Sequence, residues 1–249
     1  MMNDNLVRLD VLCTKNELVK SRTLAKKLIE AGAVSVDGKT VTKPSELVSE
    51  DAAITVSKTE EMEFVSRGGL KLKHALAQFG ISVNGMTALD IGASTGGFTD
   101  CLLKNGAAKV YAVDVGSSQL AEELQNDSRV ISIENMNARY MTPEDFGNLR
   151  FDIAVTDVSF ISQTLIYEAA SKLLKQNAPF VTLVKPQFEA GRAALDKNGI
   201  VRDARVYARV REKIETAAKE HGFKLMGYID SSITGGDGNK EFLAYFTRI

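Results

Sequence analysis

The chain has 249 residues, enough for one large core and a small one beside it, and with 44% hydrophobic and 25% charged residues disorder is excluded as the default state. A net charge of −1 excludes a global electrostatic pull towards nucleic acid or membrane, so any such attraction has to be local. Two separated cysteines, Cys13 and Cys101, exclude a disulfide framework, and with only two histidines no metal site is expected; the start "MMNDNLVRLD" lacks a signal-peptide layout and no apolar run approaches a membrane span, so a cytoplasmic protein is expected.

From Leu6 to about Val56 the expected order is helix, helix, then short strands. "SRTLAKKLIEAGAV" opens on Ser21 as N-cap, places Leu24, Leu28 and Ile29 on one face and stops at Gly32. "VSVDGKTV" alternates around Asp37-Gly38, a hairpin signal. Between Lys15 and Lys43 stand seven basic residues against three acids, a local excess that suits a phosphate backbone and equally suits a solvated helix face. The order of elements, with Arg8-Leu9-Asp10, Ser21-Arg22, the "IEAGAVSVDGK" corner and Lys43-Pro44, resembles the S-four domain over roughly residues 6 to 56. That resemblance implies a small α+β RNA-binding domain, placed at residues 1–57, with Arg8, Arg22, Lys26 and Lys27 as candidate RNA contacts. The polar, acidic "SKTEEMEF" then reads as a linker, residues 58–66.

Beyond the linker helix and strand alternate. "GGLKLKHALAQFG" reads as a helix, "TALDIG" as a strand, "FTDCLLKNG" as a helix, "KVYAVDV" as a strand, "SQLAEELQN" as a helix and "RVISIE" as a strand. Strand "FDIAVTDV", helix "LIYEAASKLLKQ", strand "FVTLVK", helix "DARVYARVREKIETAAKEHG" and the closing strands "FKLMGYI" and "EFLAYFTR" follow. Such alternation predicts, for residues 67–249, an α/β domain whose mostly parallel sheet is covered on both faces, with the last two strands paired as an antiparallel edge. "FEAGRAALDKNGIVRD" is the longest expected loop and a candidate lid.

"LDIGASTGGFTD" admits two readings. Gly92-Ala93-Ser94-Thr95-Gly96 fits G-x-S-x-G, the nucleophile elbow of hydrolases, and His221 lies downstream as a possible base. Against this, "KEHGF" looks like a helix end, and only a helix-hairpin module precedes Ser94 where an elbow follows several strands. A binding loop fits better, with Asp90 closing the first strand, Gly92, Gly96 and Gly97 admitting a ligand close to backbone, and Asp114 ending the next strand where ribose hydroxyls can donate to it. The spacing does not match the pyrophosphate fingerprint G-x-G-x-x-G, and a plain strand-to-helix turn without ligand is the simpler alternative. First-strand acid, glycine-rich loop and second-strand acid together resemble class I S-adenosylmethionine-dependent methyltransferases. The resemblance implies a Rossmann-like seven-stranded sheet and S-adenosylmethionine as cofactor. Asp90, Gly92, Ala93, Ser94, Thr95, Gly96 and Gly97 would then surround its methionine part, Asp114 its ribose and Asn137 its adenine.

Methylation of exocyclic amines relies on a proline-containing turn after the fourth strand, whereas this chain has Thr156-Asp157-Val158-Ser159-Phe160 there; carbon-5 methylation needs a nucleophilic cysteine, and neither cysteine has that setting. Charged residues remain at strand ends and turns: Asp157, Lys185, Glu241, and Lys71 in the first helix. A partly desolvated lysine can serve as a base, yet Asp157 and Glu241 would oppose this by favouring its charged form, so the proton acceptor stays open. The four resemble the Lys-Asp-Lys-Glu tetrad of FtsJ-type ribose 2′-O-methyltransferases. With "VSRGGLKL", "DIGASTGGFTD", "TDVSFIS", "LVKPQFE" and "GNKEFL", nearly the whole chain resembles the TlyA (hemolysin A) family of ribosomal RNA methyltransferases. That implies Lys71, Asp157, Lys185 and Glu241 as catalytic residues. It further implies ribosomal RNA or ribosomal subunits as partner, and methylation of a cytidine 2′-hydroxyl in 16S and, in some members, 23S rRNA. The chain departs from some members in having Leu70 where they have an aromatic residue, and in lacking tryptophan. Arg67, Arg192 and Arg202 are candidates to meet RNA phosphates, and each equally suits an ordinary surface charge. Two readings of other classes stand beside this one: a non-catalytic RNA-binding or ribosome assembly factor, and a membrane-active hemolysin. The helix best suited to the latter has an apolar face of alanine and valine, more apt for packing on a sheet. Oligomeric state is not legible.

Overall fold

The first helical turn of the chain is built on a buried carboxylate. Strand β1 (Leu6–Arg8) runs into helix α1 (Leu9–Lys15), in which Asp10 is fully buried beside Leu9, Leu12 and Cys13. Arg8 donates to both Asp10 oxygens at 2.9 and 3.0 Å, and Arg22, which opens α2 (Arg22–Glu30), donates to Oδ2 at 3.0 Å. Asp10 thereby ties β1 to both helices. Ser21 caps α2 as expected, accepting from the Leu24 N–H at 3.2 Å. Strands β2 (Val34–Val36), β3 (Lys39–Thr40), β4 (Leu47–Ser49) and β5 (Ile54–Val56) complete the unit; β2 lies between β3 and β5, and β1 pairs with β4. Asp37 and Gly38 have φ of +49° and +77°, the geometry that lets a two-residue turn follow the strands' twist. The β1–β4 pair was not foreseen, because its partners lie some forty residues apart and neither is long enough to show a period.

The computed structural model describes residues 5–57, 59 and 62–249, which divide into two compact units, Met1–Met62 and Glu63–Ile249. Of the linker expected over 58–66, Lys58, Glu60 and Glu61 lie outside the described residues.

The second unit opens with α3 (Gly68–Phe79) and proceeds through β6 (Thr87–Ile91), α4 (Gly97–Lys104), β7 (Lys109–Val113), α5 (Glu122–Gln125), β8 (Val130–Ile133), β9 (Ile153–Thr156), α6 (Tyr167–Leu173), β10 (Pro179–Val184), α7 (Pro186–Glu189), α8 (Ala204–Glu220), β11 (Phe223–Asp230) and β12 (Phe242–Arg248). One seven-stranded sheet has the order β11-β12-β10-β9-β6-β7-β8. Five strands from β10 to β8 are parallel, and β12 enters antiparallel between β10 and the outer strand β11. This is the Rossmann-like α/β fold, with its antiparallel pairing at one edge.

Strand residues alternate between the two faces. Ala88, Val110, Ile153, Val155, Val181 and Leu183 pack with Leu72, Cys101, Leu102 and Leu124 from α3, α4 and α5. Leu89, Ile91, Ala154, Phe180 and Phe246 meet Tyr167 of α6 and Val206, Val210, Ile214 and Ala218 of α8 on the other. The four α8 residues recur at every fourth position, so that helix's apolar stripe is spent on the sheet and is not available to a lipid surface. No helix among the described residues is long and apolar enough to cross a membrane.

Two elements are shorter than expected. Of "SQLAEELQN" only Glu122–Gln125 is helical, and "LIYEAASKLLKQ" begins as a 3-10 turn, Gln163–Ile166, before becoming α6. The candidate lid starts within one short helical turn, Pro186–Glu189, and carries another, Arg192–Ala194. Its end is tied down: the Val201 N–H donates to Asn239 at 3.2 Å, its carbonyl accepts from the Tyr207 hydroxyl at 2.6 Å, and Asn239 donates to the Gly199 carbonyl at 3.2 Å.

The Arg8 hydrogen bonds, and next those of Arg22 against the cost of burial, hold the Asp10 carboxyl at about 2, below its value of about 4 in an unfolded chain. A depressed carboxyl contributes stability that is complete above the unfolded value and is lost as pH falls towards the folded one. The amino-terminal unit will therefore lose stability between about pH 4 and pH 2. In Asp10→Asn its thermal transition, followed by circular dichroism in the full chain, will be several degrees lower at pH 7 and will lack that part of the acid sensitivity.

Candidate active site

In an open α/β sheet a crevice forms where the chain reverses its direction of progress, outside the carboxyl ends of the strands. Here β6 is followed by β7 and β8 on one side and by β9 on the other, so the crevice lies beyond β6 and β9. The loop after β6 is residues 92–96. Gly92, at φ +83°, donates to the Val113 carbonyl at 2.8 Å, and a Cβ there would lie 3.0 Å from the Asp157 carbonyl oxygen. Only glycine lets the two strand ends close so far. Gly96 and Gly97 do different work. A Cβ on Gly96 would lie 2.2 Å from Leu124, and one on Gly97 would lie 2.3 Å from Ser66 Oγ and 3.0 Å from the Gly69 nitrogen. At both positions the bare backbone makes room for protein atoms, and neither glycine lines the two cavities of the crevice.

Ser94 is exposed with φ +47°, and its N–H donates to Asp114 Oδ2 at 2.8 Å. Asp114, directly after β7, also accepts from the Gly116 N–H at 2.8 Å through Oδ1, so one carboxylate fixes both loops while each oxygen keeps a lone pair. His221 caps α8 immediately before β11, whose direction puts its start at the amino ends of the parallel strands; Ser94 follows their carboxyl ends. Serine and histidine therefore sit at opposite ends of the sheet, and the elbow reading fails on topology.

Asp90 does not close the strand but lies within β6, fully buried, with Oδ2 accepting from Thr99 Oγ1 at 2.7 Å. Burial pushes its carboxyl up to about 7, opposed by the Thr99 bond and assisted by the charge of Asp157. It braces the loop from beneath.

Two adjoining cavities occupy the crevice. One, of about 390 Å³, has Asp114, Val115, Asn137, Val158 and Phe160 on its walls. The other, of about 260 Å³, has Arg67, Lys71, Ala93, Thr95, Asp157 and Lys185. Gly92, Ser94, Asp157 and Ser159 border both. Asn137 also caps its own 3-10 turn, accepting from the Arg139 N–H at 3.1 Å.

The four charged residues singled out in the sequence form two ion pairs. Lys71 Nζ lies 2.5 Å from Glu241 Oε2, both nearly buried; Lys185 Nζ lies 2.5 Å from Asp157 Oδ1 and donates to Ser159 Oγ at 2.8 Å. Register explains the meeting. Asp157 and Lys185 follow neighbouring parallel strands, and β12 begins beside the end of β10, Phe242 opposite Val184, so Glu241 emerges at the same rim. Lys71, Asp157 and Lys185 face the smaller cavity, whereas Glu241 stands behind Lys71.

Sequence reasoning missed Ser159 and Phe160. Phe160 is 88% exposed with φ +67°, beside Ser159 on the larger cavity's wall, its ring 5.3 Å from that of Phe188. A large apolar ring left in water was the signal, and exposure is not readable from a sequence. Among the basic residues, Arg67 reaches the cavity, Arg202 is paired to Asp196 at 2.7 Å, and Arg192 is exposed. Arg8 and Arg22 are engaged by Asp10 yet keep about half their side chains in solvent, Lys26 is exposed and Lys27 half-buried.

Residues 64–248 match the model of the FtsJ-like methyltransferase family, and residues 7–54 match the S4 domain. Hemolysin A of Brachyspira hyodysenteriae is 44% identical, over 96% of this chain and 99% of its own. The 16S/23S rRNA (cytidine-2′-O)-methyltransferase TlyA of Mycobacterium tuberculosis is 43% identical, over 96% of this chain and 88% of its own. A solved Streptococcus thermophilus protein described as a hemolysin superposes with a TM-score of 0.77 at 46% identity, covering 98% of this chain and 88% of that one.

The close approach at Gly97 is open to test. Gly97→Ala forces its Cβ against Ser66 Oγ and the Gly69 backbone, displacing the start of α3 and with it Lys71. Overpacking of this kind destabilises by about 1 to 3 kcal/mol, measurable by urea denaturation.

Proposed function

Since the chain belongs to the FtsJ-like methyltransferases, and among them to the TlyA (hemolysin A) group that carries an amino-terminal S4 domain, we propose that it methylates a ribose 2′-hydroxyl of ribosomal RNA, a cytidine of 16S rRNA with 23S rRNA as the second candidate, and uses S-adenosylmethionine as donor. The observation that carries the reading is the convergence of Lys71, Asp157 and Lys185 on one cavity that adjoins the glycine-loop cavity through Gly92 and Ser94.

The larger cavity suits the donor. Asp114 offers carboxylate lone pairs to two ribose hydroxyls, and Val115, Val158 and Phe160 offer apolar walls to a base, with Asn137 as a polar group among them. Ala93, Ser94 and Thr95 then lie along the methionine part. Bound there, S-adenosylmethionine supplies an activated methyl on a sulfonium, so the protein's task is to align an acceptor and relieve it of a proton.

Lys185, held between Asp157 and Ser159, reaches into the smaller cavity where a ribose hydroxyl would enter. As the oxygen takes the methyl, the donor's sulfur would keep the pair of the broken bond as a neutral thioether, and the hydroxyl proton would pass to the Lys185–Asp157 pair. Lys71, fixed by Glu241, presents a cation that orients the ribose and offsets the charge developing on its oxygen. Phe160 gives an unstacked base a ring to lie on, and Arg67 at the rim suits a phosphate. The S4 domain, with Arg8, Arg22, Lys26 and Lys27, would grip structured RNA. A 2′-hydroxyl target requires RNA, and a ribosomal substrate suits an activity in the cytoplasm.

Lys185→Ala will abolish methyl transfer to ribosomal RNA while donor binding by calorimetry persists; near-normal turnover would reject the mechanism. Asp114→Ala will weaken donor binding by about tenfold or more, since it removes charge-assisted hydrogen bonds to the donor and frees the loop at Ser94. Mapping 2′-O-methyl groups on rRNA from cells with and without the protein identifies the nucleotide.

A further inference from the structure

Glu189, the last residue of α7, is almost wholly buried and lines neither of the two cavities. Its Oε1 accepts from the Gln163 N–H at 2.8 Å. Its Oε2 accepts from Ser162 Oγ at 2.5 Å and from Lys213 Nζ, which comes from α8, at 2.8 Å. Lys213 also donates to the Glu189 carbonyl at 3.0 Å and to Ser162 Oγ at 3.3 Å. One carboxylate thus joins three segments: the start of the 3-10 turn after β9, the turn after β10, and α8.

The segment between Asp157 and Gln163 needs such a tether. Phe160 at its apex has φ +67°, a conformation disfavoured for an aromatic residue and kept only where the surroundings hold both flanks. Upstream, Asp157 and Ser159 are held by Lys185; downstream, Ser162 and Gln163 are held by Glu189. Lys185 and Glu189 are the two ends of one hydrogen-bonded turn, in which the Phe188 N–H donates to the Lys185 carbonyl and the Ala190 N–H to the Pro186 carbonyl, both at 2.9 Å. A pull released at Glu189 therefore changes the setting of Lys185 against its partners.

On the premise of the methyl transfer proposed above, we propose that Glu189 is a positioning residue for that reaction. By binding Ser162 and Gln163 to the turn that begins at Lys185, it keeps Asp157 and Ser159 where both meet the lysine's Nζ. It touches neither donor nor acceptor, and its effect falls on turnover.

The test uses the full chain, ribosomal subunits as acceptor and methyl-labelled S-adenosylmethionine. E189Q keeps the side chain's size and loses its charge; kcat will fall by about 10- to 100-fold, as expected for a slight misplacement of reacting groups, a larger change than those in KM for RNA and donor Kd, which shift by a few-fold at most because Phe160 belongs to the same segment. K213M will lower kcat in the same direction, K213R will restore most of that loss, and the E189Q/K213M pair will be no worse than E189Q alone, because the two act as one unit. An unchanged kcat in E189Q, or a loss matched by equal losses of thermal stability and donor affinity, overturns the proposal. Should E189Q fail to fold, S162A removes the other side of the same tether and is judged by the same split between kcat and Kd. The two failures are distinct: an inactive wild-type chain refutes the activity, whereas an active wild type with an unaffected tether refutes the positioning role alone.

Discussion

Asp157 and Lys185 stand 2.5 Å apart because two parallel, hydrogen-bonded strands deliver whatever follows them to the same rim. The rest of the site is arranged around that constraint. Gly92 follows the next strand across and has no side chain, so its loop closes on the Asp157 carbonyl. Glu241 precedes the one strand that runs the other way, and an antiparallel strand begins where its parallel neighbour ends. Lys71 arrives from a helix whose start is admitted by the bare backbone of Gly97.

Electrostatics makes the arrangement tolerable. Two lysines and two acids sit at a crevice with little access to water, and each cation has an anion at ion-pair distance. Pairs of this sort add little net stability, since desolvation offsets most of their attraction, but losing one partner strands a charge. Their contribution is direction: a long, flexible lysine is aimed. Asp90, with its carboxyl pushed up to about 7 by burial, shows what happens to an acid in the same neighbourhood that lacks a cation. In the amino-terminal unit Asp10 is the opposite case, buried to a similar degree yet held near 2 by two arginines.

Much of the large unit was legible because its signals are local and repeated. Apolar runs such as "FVTLV" marked strands, and the regular succession of strand and helix segments from "TALDIG" onwards marked the class of the domain. What escaped was short or non-local. The β1–β4 pair rests on three residues each, and α5 shrank to one turn because Leu124 alone in it is buried. Phe160 was hidden for another reason: in the sequence it is one more aromatic residue after a strand, and only the backbone sign at that position turns it outwards. Likewise Asp90 reads as a ligand-facing acid by its place in the motif, yet strand alternation points it inward to Thr99.

The sequence by itself determined the two-part organisation, the α/β class of the larger part, and which residues are chemically able to act, because composition, periodicity and residue type are properties of the chain. Tertiary structure alone decided which of them meet. Lys71, Asp157, Lys185 and Glu241 are separated by tens of residues, and their pairing follows from strand order and register. The same holds for Ser94 and His221, which the chain order permits to be partners and the sheet places at opposite ends. Contact across such separations is set by how the faces of the sheet bury their side chains, and no short stretch of sequence carries that information.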